Sequence, residues 1–346
     1  MNLRDAARAV AGGSPAESRP ALSLPIVASI AGFTMIAMYC MYVSLHTIDV
    51  GTGSVAATES LKQYHQALEG GRDFPYQWRL LGIYLVFAGE RLTGLNPHAV
   101  DVVVKALLLF SSSLVLFLFC CLYTSEISAL GAVGLYLLLT VAGFTDQYTI
   151  YFTNDFAVIA CWFAAVYCLR TGRPAAAIVL AFVGAWAKET MLLVPVLMGL
   201  QWLRTRSGFG RVVLAALAFL IPSAILRTAY QAPLAKWAWW DMLFANVPFL
   251  QSSMYEFTLT MKNNVKVALF YNVFWLLAAR RVLQTHDPFV RELAVTGIVY
   301  LLLAYPVIYI RELRHFLPLA IIVLPMAMAE LESGASTRRD PARPRS

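Results

Sequence analysis

The sequence predicts an all-α fold, a polytopic transmembrane helical bundle of about ten membrane segments. Three observations predict it. Of 346 residues, 59% are hydrophobic and only 14% charged, whereas soluble domains carry about 25% charged residues. The mean hydropathy is +0.65. The few charges are also ordered: Lys and Arg collect at every second end of the apolar runs, and acidic residues at the opposite ends. The positive-inside rule produces this alternation. The net charge of +7 is therefore spread over short loops and tails, which argues against a nucleic-acid partner and for membrane lipids. The five cysteines (Cys40, Cys120, Cys121, Cys161 and Cys168) lie in apolar runs without CxxC or Cys/His spacing, so neither a disulfide framework nor a zinc site is indicated.

Residues 1–23, with Arg4, Arg8 and Arg19 among Pro, Gly and Ala, read as a disordered cytoplasmic tail. Residues 24–331 form a single transmembrane domain. Its first span, 24–45, is too long for a signal-peptide core and reads as a retained anchor. Residues 46–100 make an outer loop. Its apolar stretch 80–88 falls short of the roughly 20 residues a spanning helix needs and reads as an interfacial helix, with Trp78 and Tyr84 at headgroup level.

Spans follow at 102–123, 127–145 and 150–169, the last ending in Arg170 and Arg173. The apolar stretch 174–203 is interrupted by Lys188-Glu189 and ends in Arg204, Arg206 and Arg211. Basic residues at both ends place both ends on one side, so the stretch is predicted to be a hairpin of two short helices with Lys188 and Glu189 at its tip. A span at 211–228 leads to a Trp- and Tyr-rich outer segment (Trp237, Trp239, Trp240 and Tyr255). Spans at 265–279, 291–310 and 316–331 complete the bundle, and 332–346 is a basic cytoplasmic tail. Both termini are expected inside a bacterial cytoplasmic membrane.

Ionisable groups at membrane depth are costly, so a cluster of them is a functional-site hypothesis. Asp49, in HTIDVGTG, follows the first span, where a carboxylate in low dielectric can serve as a general base; the competing reading is an exposed helix end. Lys188-Glu189 can bind an anion through the ammonium, or the two can neutralise each other. Arg311, Glu312, Arg314 and His315 crowd a short turn. On a helical continuation Arg311 would neighbour both Arg314 and His315 and could converge with them on a phosphate, which the planar Arg fork binds bidentately. Headgroup snorkelling is the alternative. Asp146 and Asp155 can supply a second carboxylate or cap a helix, and Arg79 can reach a lipid phosphate. No GxGxxG, GxxxxGK[ST], HExxH or GxSxG motif is present, which removes the main nucleotide-dependent and hydrolytic readings.

Taken together, an acidic residue just outside the first span, amphipathic stretches in a long first outer loop, a hairpin carrying AWAKETMLLVP and RELRHFLPL before the last span resemble the GT-C membrane glycosyltransferases, over roughly residues 24–331. The resemblance implies a GT-C-like bundle that transfers a sugar from a polyprenyl-phosphate donor to a glycan, lipid or protein acceptor on the outer membrane face, with inversion. It implies Asp49 as catalytic base, Lys188 and Arg314 as donor-phosphate ligands, and Glu189 and Glu312 as residues that orient those cations or the sugar hydroxyls. Many members carry adjacent carboxylates in the first loop, whereas Asp49 stands alone. A divalent metal is compatible with the sequence, and no cofactor is required by it. The rival readings are a transporter or flippase for an anionic lipid or solute, using the broken hairpin as a moving element, and a non-catalytic component of an envelope assembly.

Overall fold

The computed structural model describes residues 22–49, 79–145, 153–229, 246–251, 253–305 and 312–339. All regular structure among them is helical: α1 (Leu24–Asp49), α2 (Leu81–Thr93), α3 (Pro97–Cys120), α4 (Glu126–Thr145), α5 (Thr153–Arg170), α6 (Pro174–Ala185), α7 (Leu193–Thr205), α8 (Phe209–Ala229), α9 (Met254–Tyr271), α10 (Val273–Gln284), α11 (Pro288–Ala304) and α12 (Ala320–Arg339). Short 3₁₀ turns cover Glu189–Leu192, Pro248–Leu250 and Leu313–Leu319. Five stretches are long and apolar enough to cross a membrane: Leu24–Val43, Pro97–Cys120, Glu126–Thr145, Phe209–Leu226 and Leu313–Gly334. Their outward faces, such as Met35, Ile36 and Tyr39 on α1 and Leu214, Leu217 and Leu220 on α8, are exposed and apolar. That is the face a bilayer solvates.

Local signals set the helix starts. Asn96 accepts a hydrogen bond from His98 N ahead of Pro97, and Asp287 accepts from Phe289 N ahead of Pro288. Each pairs a capping side chain with a proline whose missing N–H costs nothing in the first turn. Gly94, at φ 67°, closes α2 in the left-handed conformation.

The bundle has two chemically distinct ends. At the basic end, Arg170 closing α5 pairs with Asp287 before α11 (2.7 Å) and Arg204 in the last turn of α7 pairs with Glu292 in α11 (2.5 Å). Arg280 of α10 pairs there with Glu330 of α12 (3.0 Å), and Ser125 N donates to Glu332 Oε2 (3.0 Å). Because Arg170 and Arg204 both reach the start of α11, α6 and α7 return to the end they left. They form the expected hairpin. Its break runs through Trp186 and Ala187, and Lys188 is extended (φ −167°, ψ 155°). Gly184 permits the turn to close: a Cβ there would lie 2.8 Å from Met191 Sδ and 2.9 Å from Cys161 Cβ.

Three expectations are corrected. The 265–279 segment is not one helix, since Asn272, at φ 48° and ψ −132°, separates α9 from α10; Asn tolerates positive φ better than most side chains. The last helix runs to Arg339, past residue 331, into the stretch read as a tail. Residues 313–319 are a 3₁₀ turn rather than a continuation of the helix before, because Glu312 is extended (φ −93°, ψ 91°) and Pro318 lacks the N–H an α-helix would direct at the Arg314 carbonyl.

Candidate functional site

The opposite end of the bundle gathers α5's first turn, the hairpin tip and the 313–319 turn into one buried charge cluster. Asp155 is its centre. Lys188 Nζ donates to Asp155 Oδ1 (2.6 Å), and Arg314 Nη1 donates to Asp155 Oδ2. Arg314 also grips Glu312, with Nη2 2.6 Å and Nε 3.2 Å from Oε2. His315 bridges the two halves: Nδ1 lies 3.0 Å from Lys188 Nζ and Nε2 3.1 Å from Glu312 Oε2. An ammonium has only protons to offer, so Nδ1 accepts and Nε2–H donates to Glu312. The ring is thereby assigned as the neutral Nε2–H tautomer.

Two cations thus face two carboxylates, with side chains almost wholly buried: 9% and 2% exposed for Lys188 and Arg314, and 6% and 15% for Asp155 and Glu312. Burial opposes ionisation of Glu312, but the His315 hydrogen bond and the Arg314 charge outweigh it. They hold the carboxyl down at about 2, against an ordinary 4.5.

The backbone carrying Arg314 and His315 is held by ring donors. Tyr300 of α11 donates to the His315 carbonyl (2.5 Å), Tyr271 of α9 to that of Phe316 (2.9 Å) and Trp162 of α5 to that of Pro318 (3.0 Å). Buried carbonyls that a 3₁₀ turn leaves open need such partners. Gly143 of α4 packs on the same segment, where a Cβ would sit 3.3 Å from Arg314 N and Cα.

A second pair borders the cluster. Arg79 Nη2 donates to Glu189 Oε2 (3.1 Å). Leu80 N and Leu81 N both donate to the Trp186 carbonyl (2.9 and 3.0 Å), which docks the start of α2 on the hairpin break. Asn154 completes the joint, its Nδ2 donating to the Arg79 carbonyl and its Oδ1 accepting from Gly82 N, both at 2.7 Å. An open groove of about 470 Å³ runs between α4 and α9 and reaches Leu313, the first residue of the turn that carries Arg314. It is lined by Leu139, Ala142, Thr145, Leu269, Phe270 and Leu313, with Lys266 as its one cation.

Among the predicted site residues, the structure brings together Asp155, Lys188, Glu312, Arg314 and His315, with Arg79 and Glu189 at the margin. Lys188 and Glu189 do not neutralise each other, as one alternative had it: extended backbone at Lys188 sends the ammonium to Asp155, while Glu189 turns to Arg79. Both carboxylate oxygens of Asp155 pair with cations, Oδ1 with Lys188 and Oδ2 with Arg314. Asp49 ends α1 at this same end of the bundle, where Tyr42 of α1 meets the ring of His98 at the start of α3 (6.3 Å). The Asp49 side chain, Asp146 and Arg311 lie outside the described residues. Among the described residues no three His, Cys, Asp or Glu side chains are grouped to hold a metal ion.

Sequence reasoning missed Asp101, Lys105 and Thr153. Asp101 and Lys105 form an ion pair in α3 buried to 2% on both sides, and Thr153 Oγ1 donates to Asp101 Oδ1 (2.5 Å). The signal was available in VDVVVKALLLF, where two opposite charges stand four apart in an apolar run. Starting the span at 102 left Asp101 outside the membrane segment and Lys105 unexamined. Comparison of this chain with protein-family models, curated proteins and solved structures gave no match.

Proposed function

We propose that this chain is an integral-membrane glycosyltransferase that takes its sugar from a polyprenyl-phosphate-linked donor. The observation that carries the reading is the convergence of Lys188 and Arg314 on Asp155, at the bundle end opposite the Arg-rich one and beside an apolar groove. Two cations at such depth suit a phosphate whose lipid chain stays in the apolar phase, and the groove between α4 and α9 offers that chain a path.

In the resting arrangement the cluster is electroneutral, so a donor phosphate must displace a carboxylate. Glu312 is the exchangeable one. Its side chain is the more exposed of the two, and it shares Arg314 with Asp155. Asp155 stays in place and keeps Lys188 and Arg314 charged and aimed.

The chemistry then needs a base on the acceptor side, which the resemblance assigns to Asp49. Its carboxylate takes the acceptor hydroxyl proton, the oxygen attacks the anomeric carbon, and the bond from that carbon to the phosphate oxygen breaks. The electron pair leaves with the lipid phosphate, whose added charge Lys188 and Arg314 stabilise. Fixed donors aimed at developing charge are usually the largest catalytic contribution.

The test is mass spectrometry of envelope glycans and lipid-linked sugars from cells with and without the protein. Loss of one sugar from an envelope product, with accumulation of its lipid-phosphate form, is the expected result. Unchanged profiles in both fractions would reject the transferase reading. Translocation of the lipid phosphate by purified protein in vesicles without sugar transfer would favour the transporter instead.

A further inference from the structure

We propose that the Asp101–Lys105 pair and Thr153 are positioning residues that set the orientation of Asp155, and through it the aim of Lys188 and Arg314. The inference rests on reading those two cations as the phosphate site. Packing alone does not account for a buried ion pair inside α3, because apolar residues of similar volume often serve stability as well or better. What the pair does offer is a fixed acceptor: Lys105 orients the Asp101 carboxylate, and Thr153 Oγ1 donates to Asp101 Oδ1 at 2.5 Å.

Thr153 is the first residue of α5, and the three residues that open this helix point three ways. Thr153 reaches Asp101 on α3, Asn154 reaches the Arg79 carbonyl and Gly82 N on α2, and Asp155 reaches Lys188 and Arg314. Successive side chains on a helix diverge by about 100°. Anchoring the first two therefore fixes the rotation of the helix end, and the direction of Asp155 follows. Without the anchor on α3, α5 could turn by a few degrees within its packing, and the Asp155 carboxylate would no longer meet both cations.

The variants are Thr153→Val, which keeps volume and removes the hydroxyl; Thr153→Ser, which restores it; and the double replacement Asp101→Leu with Lys105→Met, which removes both charges together. Each is purified in lipid nanodiscs and treated with N-hydroxysuccinimidyl acetate. Acetylation of Lys188 is quantified by mass spectrometry against exposed Lys262. Lys188 held on Asp155 reacts slowly. Thr153→Val and the double variant should raise its relative labelling about 2- to 10-fold, the effect of losing one buried hydrogen bond, while Thr153→Ser stays close to wild type. A purely structural anchor would lower the melting temperature without this selective change.

In the transfer assay the same variants should lower kcat more than they raise the donor KM. Unchanged Lys188 labelling in both Thr153→Val and the double variant overturns the inference, and so does equal labelling of Thr153→Ser and Thr153→Val. The labelling does not depend on turnover. A wild-type protein without transferase activity would reject the proposed function and leave this result readable.

Discussion

Asp155 and Arg314 stand 159 positions apart in the chain and meet in a buried ion pair that joins the first turn of α5 to the turn before α12. Lys188 shares the same carboxylate from the hairpin tip. Three separate elements therefore depend on one side chain.

Replacing Asp155 with Asn should be the most damaging single change at this end. It leaves Lys188 and Arg314 buried beside an uncharged amide, and removing one partner of a buried pair typically costs about 3–5 kcal/mol. Thermal unfolding in detergent should show a large drop in melting temperature. A melting temperature equal to wild type would show that the Asp155 ion pairs do not stabilise this end of the bundle.

Arg314 should resist conservative replacement. If it holds a lipid phosphate, Arg314→Ala should weaken binding of a polyprenyl phosphate about 10- to 150-fold, as expected for one charge-assisted contact. Arg314→Lys should recover only part of this, because an ammonium cannot bridge Asp155 and Glu312 as the planar fork does. Titration in nanodiscs measures it, and full recovery by Lys would reject the bidentate role.

The Glu312 carboxyl is depressed to about 2 from an ordinary 4.5. A depressed acid stabilises the fold above its unfolded pKa and loses that contribution as pH falls through the folded one. The stabilisation should be complete above about pH 4.5 and fade toward pH 2. Melting temperatures measured from pH 7 down to pH 3 should fall less steeply for Glu312→Gln than for wild type. Parallel curves would show that Glu312 is not the responsible group.

Gly82→Ala tests the joint between α2 and α5. The new Cβ would lie 2.9 Å from Asn154 N and 3.0 Å from both Asn154 Oδ1 and Thr153 Cβ; the first and last of these are fixed by the backbone and cannot yield without moving the helix start. A loss of about 1–3 kcal/mol is expected from such overpacking. Gly134→Ala is the control: nothing lies within 4 Å of its Cβ position, so it should be neutral or slightly stabilising, as Ala is in most helices. Equal effects at the two positions would dismiss the close approach.

Much of the architecture was legible because it follows from charge and hydropathy. The hairpin could be read from Arg170 and Arg173 before it and Arg204 and Arg206 after it, and two of these, Arg170 and Arg204, pair at one end of the bundle with Asp287 and Glu292. The break at Asn272 was hidden, since LFYNVFW carries neither Pro nor Gly and positive φ at Asn leaves no trace in composition. The clustering of Lys188, Arg314 and His315 was legible as charges sharing one membrane face. Their partners were not. Which acid neutralises Lys188 depends on the backbone turn at one residue, and adjacency in the chain suggested Glu189 where the fold supplies Asp155.

The three ring donors on the Leu313–Leu319 turn make that segment behave like a keyed part. Tyr300, Tyr271 and Trp162 address the carbonyls of His315, Phe316 and Pro318 from three different helices. Removing or inserting a single residue here would shift every carbonyl by one place against fixed donors and carry Arg314 away from Asp155 in the same motion. Length, more than side-chain identity, is what this stretch has to preserve, so it should tolerate exchanges among its apolar residues and reject any change of register.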